Sequence, residues 1–572
     1  MEVLPADVGH ITPTLEEDPA LGLSHRQKME ILFAVMLGLF LGALDQTIVG
    51  PALPTIATSL HGNDLYVWAI TIYLLTSTIS VPFWGKLSDI YGRKPIFMTG
   101  IAIFLVGSAL SGLSQSMEML IVFRGIQGIG AGSLFPVALA VIGDLFTPKE
   151  RGKYQGLFGA VFGIAFIVGP LVGGFLTENY SWHWIFYVNI PIGLVSLYVI
   201  SRLLPTVKTA QATKNFDVLG GSIFTVAITF LLIGLTNKRS GEWVDLTVGG
   251  FIVVSLIGIG LFILAEARAK EPIMPLALFR HRTYSSSMVS VFFASFAFFG
   301  AVIFLPRWFQ VVHGFSPTNS GLAALPLMAG LIFSSITSGL FVSRTGRYKW
   351  LLVGALLLMG LATGLMTQLT AETPLPVVWF WMFLAGLGVG PTFAVFTIVV
   401  QNAVPFHELG VATSNLTFFR QIGGAVALAI VGTIFGTTFV EQIAPQLAAA
   451  GVPPQVAGGF GQAMASGQLD FDKLTAVGDL GPAILAAIPA AAQAAVAPFI
   501  DHIVTSIHEA FSLAVAQTFW IGVGAAIVAA ISAAMMTEHA LKTSHGPAEA
   551  GASAEAGQSS GASASGLAAA GD

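Results

Sequence analysis

The chain of 572 residues contains no cysteine, which excludes disulfide staples and thiolate-held metal centres. Charge is scarce as well: Asp, Glu, Lys and Arg supply 10% of the residues, against about a quarter in soluble domains. The net charge of -5 is sorted among separate loops rather than pooled on one face, so no nucleic-acid partner is expected. No G-x-x-x-x-G-K-[ST] stretch occurs, which leaves no recognisable P-loop for ATP hydrolysis. Any work the chain performs then draws on an ion gradient or on the gradient of its own substrate. No nucleophile, base or metal-ligand constellation falls at membrane depth, which argues against an integral-membrane enzyme, and no metal or other cofactor is expected. The first 23 residues, with Glu16, Glu17 and Asp18, lack the basic-then-apolar order of a cleavable signal, so the first apolar span is expected to remain as an anchor.

What is present in excess is apolar sequence: 55% of the residues are hydrophobic and the mean hydropathy is +0.80. A helix needs about 20 apolar residues to cross the hydrocarbon core. Runs of that kind fall near 30–54, 66–84, 95–114, 118–144, 154–176, 184–203, 217–236, 247–266, 285–309, 319–341, 350–370, 376–400, 411–436 and 510–536. The expected fold class is therefore all-α, a polytopic membrane protein of fourteen spans. Lys and Arg orient it. With the amino terminus inside, inner loops hold nineteen of the 25 basic residues; Lys238, Arg239 and Lys473 lie outside, and Arg124, Arg307 and Arg420 lie within spans. Both termini are thus expected on the cytoplasmic side of a cell membrane. Residues 438–508, rich in Ala, Gly and Pro, read as a long outer loop of short helices, and residues 544–572 as a disordered tail.

The chain also repeats itself. GKLSDIYGRK at 85–94 is echoed by GLFVSRTGRYK at 339–349, with Gly85, Gly92 and Arg93 matching Gly339, Gly346 and Arg347 at an offset of 254. GIGAGSLF at 128–135 is echoed by GLGVGPTF at 386–393 at an offset of 258. An offset of eight spans implies two six-helix bundles, 29–203 and 284–543, with helices seven and eight inserted between them at 204–283 and a cytoplasmic tail at 1–28. Duplicated bundles of this kind place a substrate site at their interface near the midplane.

LDQTIVGPALPTIA in span one, GKLSDIYGRKP after span two, RGIQGIGAG in span four, the Gly-rich run through span five, WHWIFYVNIPIG at span six and FFRQIGG in span thirteen together resemble the major facilitator superfamily. Within it the likeness is to the fourteen-helix drug:proton antiporters of the EmrB/QacA type. The resemblance implies alternating access by a monomer in membrane lipid, exporting amphipathic, cationic small molecules in exchange for protons; a lipid exporter on the same scaffold is the alternative. It also implies that Gly85, Asp89, Gly92 and Arg93 gate the cytoplasmic side, and that Gly159, Gly163, Gly169, Pro170, Gly173 and Gly174 form an antiporter motif. Read for their chemistry alone, these glycines give close-packing faces, and Arg93 and Lys94 also serve as inside-positive signals.

Asp45 sits inside span one, where an ionised carboxyl needs a partner or a watery cavity. At 1.5 Å per residue it lies about 22 Å up, and Arg124 lies about 9 Å down span four from the other side. In a core about 30 Å thick those levels nearly coincide. Asp45 and Arg124 are therefore the expected proton-coupling pair, against the plainer reading of a static ion pair. Asp45, Gln127, Asn415, Arg420 and Gln421 are the expected lining of the substrate cavity.

Overall fold

The computed structural model describes residues 23–62, 65–205, 216–238, 241–458, 480–487, 493 and 496–541. Most of the amino-terminal tail, the carboxy-terminal tail at 544–572 and the middle of the long loop lie outside the described residues. All regular elements among the described residues are helical. Thirteen stretches are long and apolar enough to cross a membrane. The 26-residue helix Tyr66–Tyr91, apolar through Ile70, Ile72, Leu74, Leu75, Ile79 and Val81, completes the series of fourteen.

In chain order the long helices are α1 (His25–Ser59), α2 (Tyr66–Tyr91), α3 (Arg93–Gly112), α4 (Met117–Leu145), α5 (Pro148–Asn179), α6 (Asn189–Leu203, after the turn Trp184–Tyr187) and α7 (Val218–Asn237). They continue as α8 (Phe251–Glu266, after a wide turn at Leu246–Gly250), α9 (Arg282–His313), α10 (Leu325–Thr345, after Pro317–Ala323), α11 (Lys349–Met366), α12 (Leu375–Ala403), α13 (Leu409–Ala449) and α14 (Ile500–Ala534). Polar residues mark the starts: Ser24 forms a capping box with Gln27 ahead of α1, and Thr147 forms one with Glu150 ahead of α5.

The internal repeat is visible as repeated packing. In α4, Gly128 and Gly132 press on the α2 backbone and Gly130 on the α3 backbone; in α12, Gly386 and Gly390 press on α10 and Gly388 on α11. Each of these approaches is too close for a Cβ, which is why glycine recurs every second residue. Gly92 and Gly346 both hold positive φ, 91° and 70°, at the turns into α3 and α11. The bundles meet through equivalent pairs, Gly85 of α2 against Gly410 of α13 and Gly339 of α10 against Gly152 of α5.

The inserted pair packs on the outside of that junction. Phe224 of α7 lies 6.1 Å from Phe83 of α2 and 5.2 Å from Phe418 of α13, ring centre to ring centre. Lys86 of α2 pairs with Glu271, after α8, at 3.0 Å.

The long loop is shorter than its expected bounds of 438–508. α13 runs on to Ala449, and α14 begins at Ile500. Phe439, Ile443 and Leu447 of α13 pack with Leu480 and Ile484 of the short helix Leu480–Ala487 and with Ile503, Ile507 and Phe511 of α14. A drop in hydropathy marks where the membrane ends, not where the helix does.

Candidate functional site

Asp45 is 0% exposed, on the face of α1 turned into the first bundle. Its Oδ2 takes Arg124 Nη1 at 2.6 Å, and its Oδ1 takes Gln127 Nε2 at 2.8 Å and Asn189 Nδ2 at 3.0 Å. Arg124 also donates to Gln127 Oε1 at 2.9 Å and to the Ala69 carbonyl at 3.4 Å, and its guanidinium stands 4.0 Å over the ring of Tyr73. Asn189 donates to Ser108 Oγ at 3.1 Å, and Ser108 to the Phe186 carbonyl at 2.8 Å. One carboxylate thus ties α1, α4 and α6 together, with α2 and α3 completing its surroundings. Both charges are satisfied, as a buried pair requires.

Gln127, expected in the substrate cavity, is fully buried inside this network instead. It lies three residues past Arg124, on the same face of α4, so the two reach one carboxylate together. Asn189 and Tyr73 were not expected. The signal for Asn189 was present: an amide inside the apolar run YVNIPIG.

A second polar cluster lies where the α2–α3 loop meets α13. Asp89 Oδ1 accepts the Gly410 N–H at 2.9 Å and Oδ2 the Val411 N–H at 2.8 Å, capping the first turn of α13. Arg93 donates to Asp89, to Ser88 Oγ at 2.7 Å and to Asp144 Oδ2 at 3.0 Å. Gly85 and Gly410 let α2 and α13 approach, and Gly92 makes the turn. Further bonds cross between bundles at the same end: Gln155 to Gln401 at 2.7 Å, Gln401 to the Leu139 carbonyl at 2.9 Å, and Thr413 to the Pro136 carbonyl at 3.1 Å.

The glycines of α5 serve two neighbours. Gly159 and Gly163 face α10 at Ser335 and Ile332, whereas Gly169 and Gly173 face α1 at Thr47 and Ile48. Thr47 donates to the Ala165 carbonyl at 3.0 Å. Gly174 approaches Thr318, and Pro170 lies against Gly321. Close packing accounts for each of these positions.

The expected polar wall of Asn415, Arg420 and Gln421 does not form as one surface. Asn415 and Arg420 are about 140° apart around a helix of 3.6 residues per turn. Asn415 is buried against α9, donating to the Tyr284 hydroxyl at 2.9 Å. Arg420 donates to the Thr392 carbonyl at 2.9 Å and lies 4.3 Å over the Phe393 ring. Gln421 is half-buried, its Oε1 without a partner among the described residues. Phe393 in turn meets Phe162 and Phe158 of α5 at 5.4 and 6.1 Å and Phe298 of α9 at 5.8 Å, an aromatic wall shared by both bundles. Among the described residues no group of His, Cys, Asp and Glu is arranged to hold a metal ion.

Residues 35–428 match the profile of the Major Facilitator Superfamily. The chain is 36% identical over 488 residues to the multidrug transporter protein MdtP of Bacillus subtilis, covering 84% of this chain and 89% of that one. It is 34% identical over 436 residues to the tetracenomycin C resistance and export protein of Streptomyces glaucescens, covering 76% and 81%. Among solved structures it superposes on the human organic anion transporter MFSD10, with a TM-score of 0.54 at 17% identity over 71% of this chain and 94% of that one. A bacterial homologue of the lysosomal transporter Spinster, inward-facing and unoccupied, gives a TM-score of 0.54 at 16% identity over 91% and 100%. At such identities these two likenesses concern the fold alone.

Proposed function

Because this chain belongs to the Major Facilitator Superfamily, a family of transporters and not enzymes, we propose that it is a multidrug exporter of amphipathic small molecules, driven by protons moving inward across a cell membrane. The observation that carries the coupling is Asp45, a carboxylate at mid-span whose oxygens are held by Arg124, Gln127 and Asn189. Protonation removes the charge that Arg124 balances. The guanidinium stays cationic at any working pH, so it must seek other acceptors, and α1, α4 and α6 must readjust together. That readjustment is how a proton on Asp45 changes the packing of the first bundle against the second.

The latch at Asp89, Arg93 and Gly410 closes one end of the interface, proposed here as the cytoplasmic end, with both termini on that side. Opening it exposes the aromatic wall to the cytoplasm; reforming it faces the wall outward. Small-residue contacts between α5 and α10 let the bundles rock without a large change in buried area. The resemblance implies a cationic cargo, and the sequence reading puts Asp45 in the substrate cavity. With no exposed surface and both oxygens bonded, Asp45 is better suited to the proton alone, and the interface to the substrate. The test is reconstitution in proteoliposomes with an imposed pH gradient, following a cationic and an acidic aromatic probe, ethidium and 2-naphthoate, in parallel with lumenal pH. Substrate movement that draws protons in wild type and not in Asp45→Asn supports the reading; equal proton-coupled flux in both overturns it.

A further inference from the structure

Arg420 is 9% exposed and sits well inside α13, about 17 Å from its first residue at 1.5 Å per residue. The other buried arginines of the spans are well provided for. Arg124 has Asp45, and Arg151, at the start of α5, donates to the carbonyls of Phe146 and Gly143 that end α4. Arg420 has one carbonyl, Thr392, and one ring face, Phe393. Its remaining donors have no acceptor among the described residues, and no carboxylate pairs with it there. A guanidinium cannot shed its charge, so one held at this depth with most donors unused is short of an anion.

The direction of Arg420 is set by its helix. Thr413 lies seven residues earlier, two turns down the same face, and its hydroxyl bonds the Pro136 carbonyl of the opposite bundle. Arg420 therefore faces the interface between bundles, above a wall made of Phe162, Phe298 and Phe393. A fork of unused N–H donors beside flat apolar rings matches a carboxylate, or another compact anion, carried on an aromatic body.

From this we infer that Arg420 is a binding residue for the acidic group of the substrate, so the preferred cargo is an amphipathic aromatic acid. The inference rests on the exporter reading for its cargo, but its test does not use transport. Purified protein in nanodiscs, without any gradient, is titrated with radiolabelled 2-naphthoate and with its uncharged counterpart 2-naphthamide, and empty nanodiscs are subtracted. The naphthoate is expected to bind roughly tenfold or more tightly than the amide, a ratio typical of a charge-assisted hydrogen bond. Arg420→Gln is expected to bring that ratio close to one with naphthamide binding unchanged, and Arg420→Lys to retain part of it. A wild-type ratio near one overturns the assignment, as does a ratio that survives in Arg420→Gln. Should Arg420→Gln lose naphthamide binding as well, Arg420→Lys decides: a ratio kept well above one supports the charge contact, and wild-type naphthamide binding with no preference overturns it. Failure of the exporter reading looks different, as absence of proton-coupled flux with the binding preference intact.

Discussion

Asp89 and Gly410 lie 321 residues apart in sequence and are joined by a 2.9 Å bond from backbone amide to carboxylate, which holds the start of α13 against α2. The carboxylate carries three tasks at once: it accepts two N–H groups of the opposite bundle and balances Arg93. Asp89→Ala is expected to leave α13 without its cap and to shift the bundles toward the state open at this end. Distances between spin labels on the two bundles should lengthen at the α2–α3 side, while ligand affinity changes by less than about threefold, since the mutated atoms lie far from the aromatic wall. Lost binding with an unchanged distance distribution would contradict the latch.

Gly410 gives the same junction a steric test. A Cβ there would stand 2.5 Å from Arg93 Nη1 and 2.6 Å from both Asp89 Oδ1 and Ser88 Oγ. Gly410→Val should therefore mimic Asp89→Ala in label distances while leaving every charge in place. A wild-type distribution in this variant would mean that the latch tolerates separation and does not set the state.

For the buried pair, removing one partner should cost more than removing both. Arg124→Gln leaves the Asp45 carboxylate without its counter-charge, a loss on the order of 3–5 kcal/mol for a pair of this kind. Adding Asp45→Asn removes the stranded charge, so the double variant should be more stable than the two single losses sum to. Thermal unfolding of the four proteins in one detergent measures this directly, and strict additivity would sink the idea that the two residues act as one unit.

Gly159→Val concerns the sliding contact. Its side chain would press on Ser335 of α10, an overpacking typically worth about 1–3 kcal/mol. Because Gly159 faces the other bundle rather than α1, the variant should keep most of its stability and lose most of its transport rate. Equal losses at Gly169→Val, which faces Thr47 within its own bundle, would show that α5 glycines serve folding alone.

Much of this arrangement was legible in the sequence because the membrane imposes a ruler. A span of known rise puts Asp45 and Arg124 at one level before any coordinate exists, and the structure joins them at 2.6 Å. The ruler gives depth and not azimuth. Asn415, Arg420 and Gln421 sit close in sequence and were grouped for that reason, yet rotation around α13 turns Asn415 away from Arg420. Asn189 escapes the ruler for the same cause: its depth is readable, but which face of α6 meets Asp45 is not. Gln127, expected to line the cavity, instead completes the hydrogen bonding of the Asp45 carboxylate.

The two inter-bundle seams are built to different strengths. At α2 and α13 the seam is ionic, through Asp89; at the matching place on α10 and α5 it is a hydroxyl, Ser343 donating to the Lys149 carbonyl at 2.6 Å. Because the Asp89 carboxylate is buried, salt screens it little, and the charge-assisted seam should stay the stronger of the two as ionic strength rises.

The 41 residues of α13 carry mechanical meaning. At 1.5 Å per residue the helix is about 60 Å long, twice the hydrocarbon thickness. Its far end, packed on α14 through Ile443 and Leu447, stands about 43 Å beyond Arg420. For each rotation of about 10° around the midplane that tip sweeps on the order of 7 Å. The second bundle thus carries its own pointer, a lever arm braced by α14, and a fluorophore on its tip paired with one on the first bundle would report the proposed rocking as a step in distance.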